Sequence, residues 1–143
     1  LIAGDGPEKE SFKNQIKEHN LSNNFKLLGY QKDIGDLYKV TNIFAHPCYI
    51  EGFGIAVAEA MVEQKPIIAA NAGAMPELIT DKKTGLLVNP FDANAWANAI
   101  INLIENPDFS KTLAANAKTF AETEFSVKRF VQDYNNLYKN LLD

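Results

Sequence analysis

Two carboxylates flank a glycine-rich stretch in the middle of the chain. Glu51 opens the run Glu51-Gly52-Phe53-Gly54, and Glu59 follows with seven residues between the two. The run lies where a short apolar strand, predicted over 43–46, gives way to a helix predicted over 54–63. Ligands of open α/β sheets bind just beyond the carboxyl ends of the strands. A glycine-flanked helix start there offers unpaired backbone N–H groups and the positive end of the dipole, which favour a phosphate or a polyhydroxylated group. Gly52 and Gly54 let such a ligand approach with no Cβ in its path. The helix is apolar at Ile55, Ala56, Val57, Ala58, Ala60, Met61 and Val62, with Glu59 the one charge among them. A helix apolar all round is expected to be buried. A buried carboxylate needs a partner, so Glu59 calls for either an internal partner or a ligand.

Other reactive residues admit plainer readings. His46, at a strand end before Pro47, reads as a satisfied core or rim histidine. His19 suits the negative end of a helix. Cys48 reads as a small buried hydrophobe, and Glu77 as a favourable charge in the first turn after Pro76. Glu51 as a solvated loop carboxylate and Glu59 as an internally paired one remain the bland alternatives. One cysteine and two histidines exclude an internal disulfide and a zinc site built from Cys and His alone.

The elements that position these residues alternate short apolar runs with longer amphipathic stretches, the pattern of a parallel α/β sheet. Strands are predicted over 1–3, 25–28, 43–46, 66–70 and 85–88. Helices are predicted over 8–19, 34–39, 54–63, 76–79, 93–105, 109–122 and 127–142. Phe12 and Ile16 share one face of the first helix. Trp96, Ile100, Leu103 and Ile104 read as the core face of the 93–105 helix. Phe130, Tyr134, Leu137, Tyr138 and Leu141 read as a core stripe, part of which could pack on another domain. The chain opens on a bare strand, which suggests a doubly wound sheet, with helices on both faces, whose first βα unit is missing. An uncovered sheet edge would follow.

The 143 residues suit one domain, taken as 1–143, with 46% apolar and 22% charged residues. A net charge of −4 and no run of more than two like charges argue against nucleic acid as the main partner. No apolar stretch approaches the roughly 20 residues of a membrane span, and no signal-peptide pattern opens the chain. The expected location is the cytoplasm.

The spacing of Glu51 and Glu59 resembles the E-x7-E motif of retaining GT-B glycosyltransferases of the group 1 type, and the resemblance runs in order over most of the chain. It takes in Gly4-Asp5-Gly6-Pro7, Leu28-Gly29, Pro47, Glu51-Gly52-Phe53-Gly54 and Glu59-Ala60-Met61. It continues through Pro66-Ile67-Ile68, Gly73, Pro76-Glu77 and Thr84-Gly85-Leu86-Leu87-Val88. The resemblance implies a Rossmann-like C-terminal domain that binds a nucleotide-sugar donor. Glu51 would hold hydroxyls of the donor sugar, and the amides around Gly52, Phe53, Gly54 and Ile55 would face the diphosphate. Glu59 would accept from the ribose. Gly4 and Gly6 would line the phosphate side, and the Gly29-Tyr30 turn would lie against the base. It implies no cofactor and no metal: the donor is a substrate, a UDP-sugar first, with GDP- and ADP-sugars as alternatives. The acceptor would be a saccharide or a lipid-linked saccharide, bound by an N-terminal domain absent from this sequence. That domain could also hold the protein at the inner membrane face.

Three positions depart from the pattern. Cys48 stands where serine is usual, Gln64 where a helix-ending glycine is usual, and Ala74 replaces the second of two glycines and could narrow the space near the donor. The phosphate-binding Arg and Lys of the pattern precede Leu1, so the chain alone is expected to bind donor weakly and to catalyse nothing. Two other functions fit the same architecture: a non-catalytic nucleotide-binding or interaction module, and a sugar-nucleotide epimerase. A phosphorelay receiver would need an aspartate after the strand at 43–46, which ends in His46 instead.

Overall fold

Every predicted strand and helix forms in the computed structural model of the chain, which describes residues 1–142. The chain divides into two compact units, Leu1–Leu37 and Tyr38 onward. In the first unit β1 (Ile2–Ala3) pairs in parallel with β2 (Leu27–Gly29), and α1 (Lys9–Glu18) connects them. The Gly4 amide extends this ladder by donating to the Gly29 carbonyl at 2.8 Å. The strand expected from Phe25 starts two residues later, because the Phe25 amide is held in a turn by the Leu21 carbonyl at 3.1 Å. The helix α2 (Gly35–Val40) spans the division between the units.

The second unit holds a three-stranded parallel sheet of β3 (Phe44–His46), β4 (Ile67–Ala70) and β5 (Leu86–Val88), in that order. Central β4 is buried at all four residues, as a parallel strand covered on both faces should be. Around it lie α3 (Ile55–Val62), α4 (Met75–Leu78), α5 (Ala93–Glu105) and α6 (Pro107–Glu124), with α7 (Val127–Leu142) closing the chain. Ile68, Leu86, Val88, Leu103 and Leu113 form one core cluster, with Trp96 and Ile100 packed on it. Ala114, Ala117 and Ala121 are buried small residues of α6, the helix that packs against α3, and small residues permit close helix approach. Pro107 starts α6 two residues earlier than expected, in the first-turn position where its missing N–H is no loss.

Two expectations for the helices fail. Ile104 is 64% exposed and not part of the core face of α5. The α7 stripe is also exposed: none of its residues is buried, and Phe130, Tyr134, Leu137, Tyr138 and Leu141 are each about half exposed or more. Periodicity shows that these residues share a face; it does not show that anything covers that face. The strands likewise pair in two ladders among the described residues, β1–β2 and β3–β4–β5.

Helix α3 ends as its sequence position demands, with the wrong residue for the task. Gln64 takes the left-handed conformation at φ 52°. Its amide donates to the Met61 carbonyl, and that of Lys65 to the Ala60 carbonyl, both at 2.9 Å, the paired bonds of a Schellman cap. A side chain in that conformation costs about 1 kcal/mol relative to glycine. Gln64→Gly should therefore raise stability by about 1 kcal/mol. The check is a shift of the urea midpoint at unchanged slope; an unchanged or lower midpoint would refute it.

Candidate functional site

After β3 the chain runs through the 47–54 loop into α3, and the backbone of that loop is fixed from the neighbouring strand. The Ala74 amide donates to the Glu51 carbonyl at 3.1 Å. Gly73, at φ 55°, lies flat on the same peptide: a Cβ there would meet the Glu51 carbonyl oxygen at 2.8 Å. Ala74 has an ordinary helical backbone, so the second glycine of the usual pair is not needed here. The turn after β4 thus holds Glu51 in place.

Gly54 caps α3 at φ 96° with no side-chain cap. A Cβ at Gly54 would lie 2.4 Å from the Met75 Cε, the tip of a buried side chain, so conformation and packing each favour glycine there. Gly52 has open space around it. No side chain caps α3; the Val57 and Ala58 amides donate to the Gly54 carbonyl at 2.9 and 3.0 Å, so the amides that the helix itself leaves unpaired are those of Ile55 and Ala56. Phe53 is anchored by an edge contact with Phe125, centroids 5.5 Å apart.

The Glu51 carboxylate lies between two groups. Its Oε1 accepts from the Phe53 amide at 3.4 Å, and its Oε2 lies 3.5 Å from His46 Nε2. Glu59 is not buried. Only Val57, Ala60 and Met61 of α3 face the core. Glu59 is exposed, on an open face with Ile55 at 67% and Val62 at 45% exposure. Seven apolar residues around one glutamate cannot distinguish a buried helix from one with an uncovered face. Glu59 does have an internal partner, one the sequence reading missed. The buried Tyr38 hydroxyl lies 3.1 Å from Glu59 Oε2 and 3.0 Å from the Ala56 carbonyl. Twenty-one residues separate Tyr38 from Glu59, and no periodic signal links them. Burial first, and then the bond to Glu59, push the Tyr38 phenol well above its ordinary range and keep its proton in place.

In the first unit, Gly4 and Gly6 line a shallow pocket with Pro7, Lys9, Phe12 and Leu27. The turn is braced by Asp5, which accepts from the Gly6 amide at 2.9 Å and from Lys9 Nζ at 2.7 Å. Lys9, then Gly6, hold the Asp5 carboxyl below its usual range. Gly29 adopts φ 67°, and Tyr30 beside it is 77% exposed. The structure brings Gly4 and Gly29 together in one unit and Glu51, Gly52, Phe53, Gly54, Ile55 and Glu59 in the other.

Two bland readings also change. Cys48 is partly exposed, its Sγ 3.2 Å from the Ile50 carbonyl. His46 is a rim residue, but its Nε2 is buried without a hydrogen-bond partner. His46, Cys48 and Glu51 bring their ligating atoms within 4.8 Å of one another. Excluding a Cys/His zinc site by counting residues left a mixed site with a carboxylate out of account.

Two outcomes follow. Gly54→Ala should destabilise by about 2–4 kcal/mol through strain and overpacking, whereas Gly52→Ala should stay within about 0.5 kcal/mol; equal melting temperatures would refute the packing argument. Tyr38→Phe should cost about 1 kcal/mol at neutral pH. The folded protein holds the phenolic proton more tightly than the unfolded chain, whose phenol titrates near 10. That stabilisation is complete below pH 10 and falls as pH rises above it. Urea titrations should show the gap between wild type and Tyr38→Phe closing above pH 10. A constant gap would sink the assignment.

None of the described helices is long and apolar enough to cross a membrane. Residues 1–120 match the family model of glycosyl transferases group 1. An uncharacterized glycosyltransferase of Methanocaldococcus jannaschii is 31% identical over 99% of this chain and 40% of its own length. The 2-deoxystreptamine N-acetyl-D-glucosaminyltransferase of Niallia circulans is 28% identical over 98% of the chain and 36% of its own. The crystal structure of Anabaena HepE in complex with UDP superposes with a TM-score of 0.89 at 31% identity, over 96% of this chain and 40% of that one. HepE has also been crystallised with UDP-glucose. The chain thus spans about two fifths of the length of such relatives. With parallel strands, a family match over residues 1–120 and this superposition, the chain belongs to the glycosyl transferases group 1, as their Rossmann-like GT-B C-terminal domain.

Proposed function

We propose that residues 1–143 serve as the donor-binding domain of a retaining, metal-independent glycosyltransferase, acting with an N-terminal domain that binds a saccharide or lipid-linked acceptor on the cytoplasmic side. The observation that carries this reading is the placement of Glu51. Its backbone is clamped by Gly73 and Ala74, and its carboxylate is aimed beside the uncapped start of α3. A donor sugar held by Glu51 would set its diphosphate against the amides of Gly52, Phe53, Gly54 and Ile55. There the helix dipole stabilises the charge that develops on the leaving nucleoside diphosphate. Glu59, on the open face of α3, would accept from the ribose hydroxyls. Tyr38 acts behind it as a positioning residue, donating to the carboxylate and fixing its direction. The donor placed first is a UDP-sugar, on the strength of the HepE complexes.

The test is calorimetric titration of the chain with UDP, GDP and ADP, repeated on Glu59→Ala. Binding of UDP in preference to the others, weakened at least about tenfold in Glu59→Ala by loss of a charge-assisted ribose bond, is the expected result. Nucleotide binding that Glu59→Ala leaves unchanged would remove Glu59 from the site, and preference for GDP or ADP would overturn the choice of donor.

A further inference from the structure

We infer that His46, Cys48 and Glu51 form a binding site for a thiophilic divalent metal ion of the zinc class. A ring nitrogen of His46, Cys48 Sγ and a Glu51 carboxylate oxygen lie within 4.8 Å of one another, and His46 Nε2 is 3.5 Å from Glu51 Oε2. Bonds of about 2.0–2.3 Å to a tetrahedral zinc ion place its ligands about 3.3–3.6 Å apart. One pair already has that spacing. The others need closure of at most about 1.5 Å, within reach of side-chain rotation on the loop.

A second observation points to the same place. His46 Nε2 is shut off from water and has no hydrogen-bond partner, and a buried polar atom in that state requires an explanation. A metal on its lone pair would satisfy it. The Phe44 ring stacks on the imidazole at 6.1 Å and 12°, which fixes the ring plane as ligand orientation demands. Cys48 Sγ makes a weak bond to the Ile50 carbonyl. On metal binding that thiol gives its proton to solvent and the thiolate takes the metal. One sulfur, one imidazole and one carboxylate select zinc over magnesium or calcium, which take oxygen ligands. Three protein ligands leave a fourth position for water, the open type of site. Cys48 is what makes it: serine, usual at this position, would leave only two strong ligands.

The site goes beyond the transfer chemistry. Its effect on the donor rests on the function proposed above, because a metal on Glu51 would deny that carboxylate to the sugar. The test therefore contains no nucleotide, so that the two readings fail separately. The metal-free chain is titrated with Co²⁺, followed by displacement with Zn²⁺. Stoichiometric cobalt binding with a thiolate-to-metal charge-transfer band, displaced by zinc, is expected. Cys48→Ser should abolish the band, and both Cys48→Ser and His46→Gln should weaken zinc at least about tenfold. A wild-type cobalt spectrum with no thiolate band would overturn the site whether or not the variants fold. Zinc affinity unchanged in both folded variants would overturn it equally.

Discussion

The amide of Ala74 donates to the carbonyl of Glu51, and Gly73 lies against the same peptide with no room for a side chain. Everything the site can do depends on that contact between two loops. In a parallel sheet, adjacent strands deliver their following loops to one edge. β3 and β4 are such neighbours, and β4 is buried along its whole length, so its outgoing turn has a fixed starting point. The turn then presents a backbone donor to the 47–54 loop. Below it, Met75 fills the space over Gly54, through which the chain enters α3 in a left-handed conformation. Loop and helix start are set by core packing before any ligand arrives.

The two glutamates are then held in different ways. Glu59 projects from a rigid helix, and its carboxylate meets a tyrosine hydroxyl whose own burial keeps it protonated. That hydroxyl has one hydrogen and two acceptors near it, Glu59 and the Ala56 carbonyl. It ties the side chain back to its own helix. Glu51 stands on a loop with a fixed backbone and a lightly held carboxylate.

How much of this was legible follows from which forces leave a local pattern. The β4 run of Ile67, Ile68, Ala69 and Ala70 is short, unbroken and apolar, which made the strand legible, and burial on both faces accounts for its composition. Helix α5 has its predicted bounds because Asp92 caps it, accepting from the Ala95 amide at 2.9 Å. The Glu51–Glu59 spacing, with the ordered glycines and prolines around it, pointed to the family and to the loop that matters. Burial was less legible. Ile55 and Val62 on α3, Ile104 on α5 and the stripe of α7 are apolar at helical spacing and yet exposed. Composition records what a surface would gain from cover, not whether cover is present. Contacts across long stretches of chain left no trace: Tyr38 with Glu59, Gly73 with Glu51, and Met75 with Gly54 are products of the fold, not of a repeat. The packing demand on Gly54 was not legible, because a glycine needed for packing and one needed for a ligand look alike in sequence.

The looseness of Glu51 is itself informative. Its two carboxylate contacts, 3.4 Å to the Phe53 amide and 3.5 Å to His46 Nε2, both lie beyond the 2.7–3.2 Å of a well-made hydrogen bond. A carboxylate that served only to brace the loop would be drawn in to one donor or the other, since a charge-assisted bond shortens when nothing opposes it. Here the backbone is clamped and the carboxylate lies between the Phe53 amide and His46 Nε2, with a long bond to the first and none to the second. That is the arrangement of a group kept available: a small closure brings it onto sugar hydroxyls at one side or onto a metal shared with His46 and Cys48 at the other. The two uses draw on the same oxygens, so they exclude each other. Glu59, bonded to Tyr38 and outside the His46–Cys48–Glu51 cluster, takes no part in that choice.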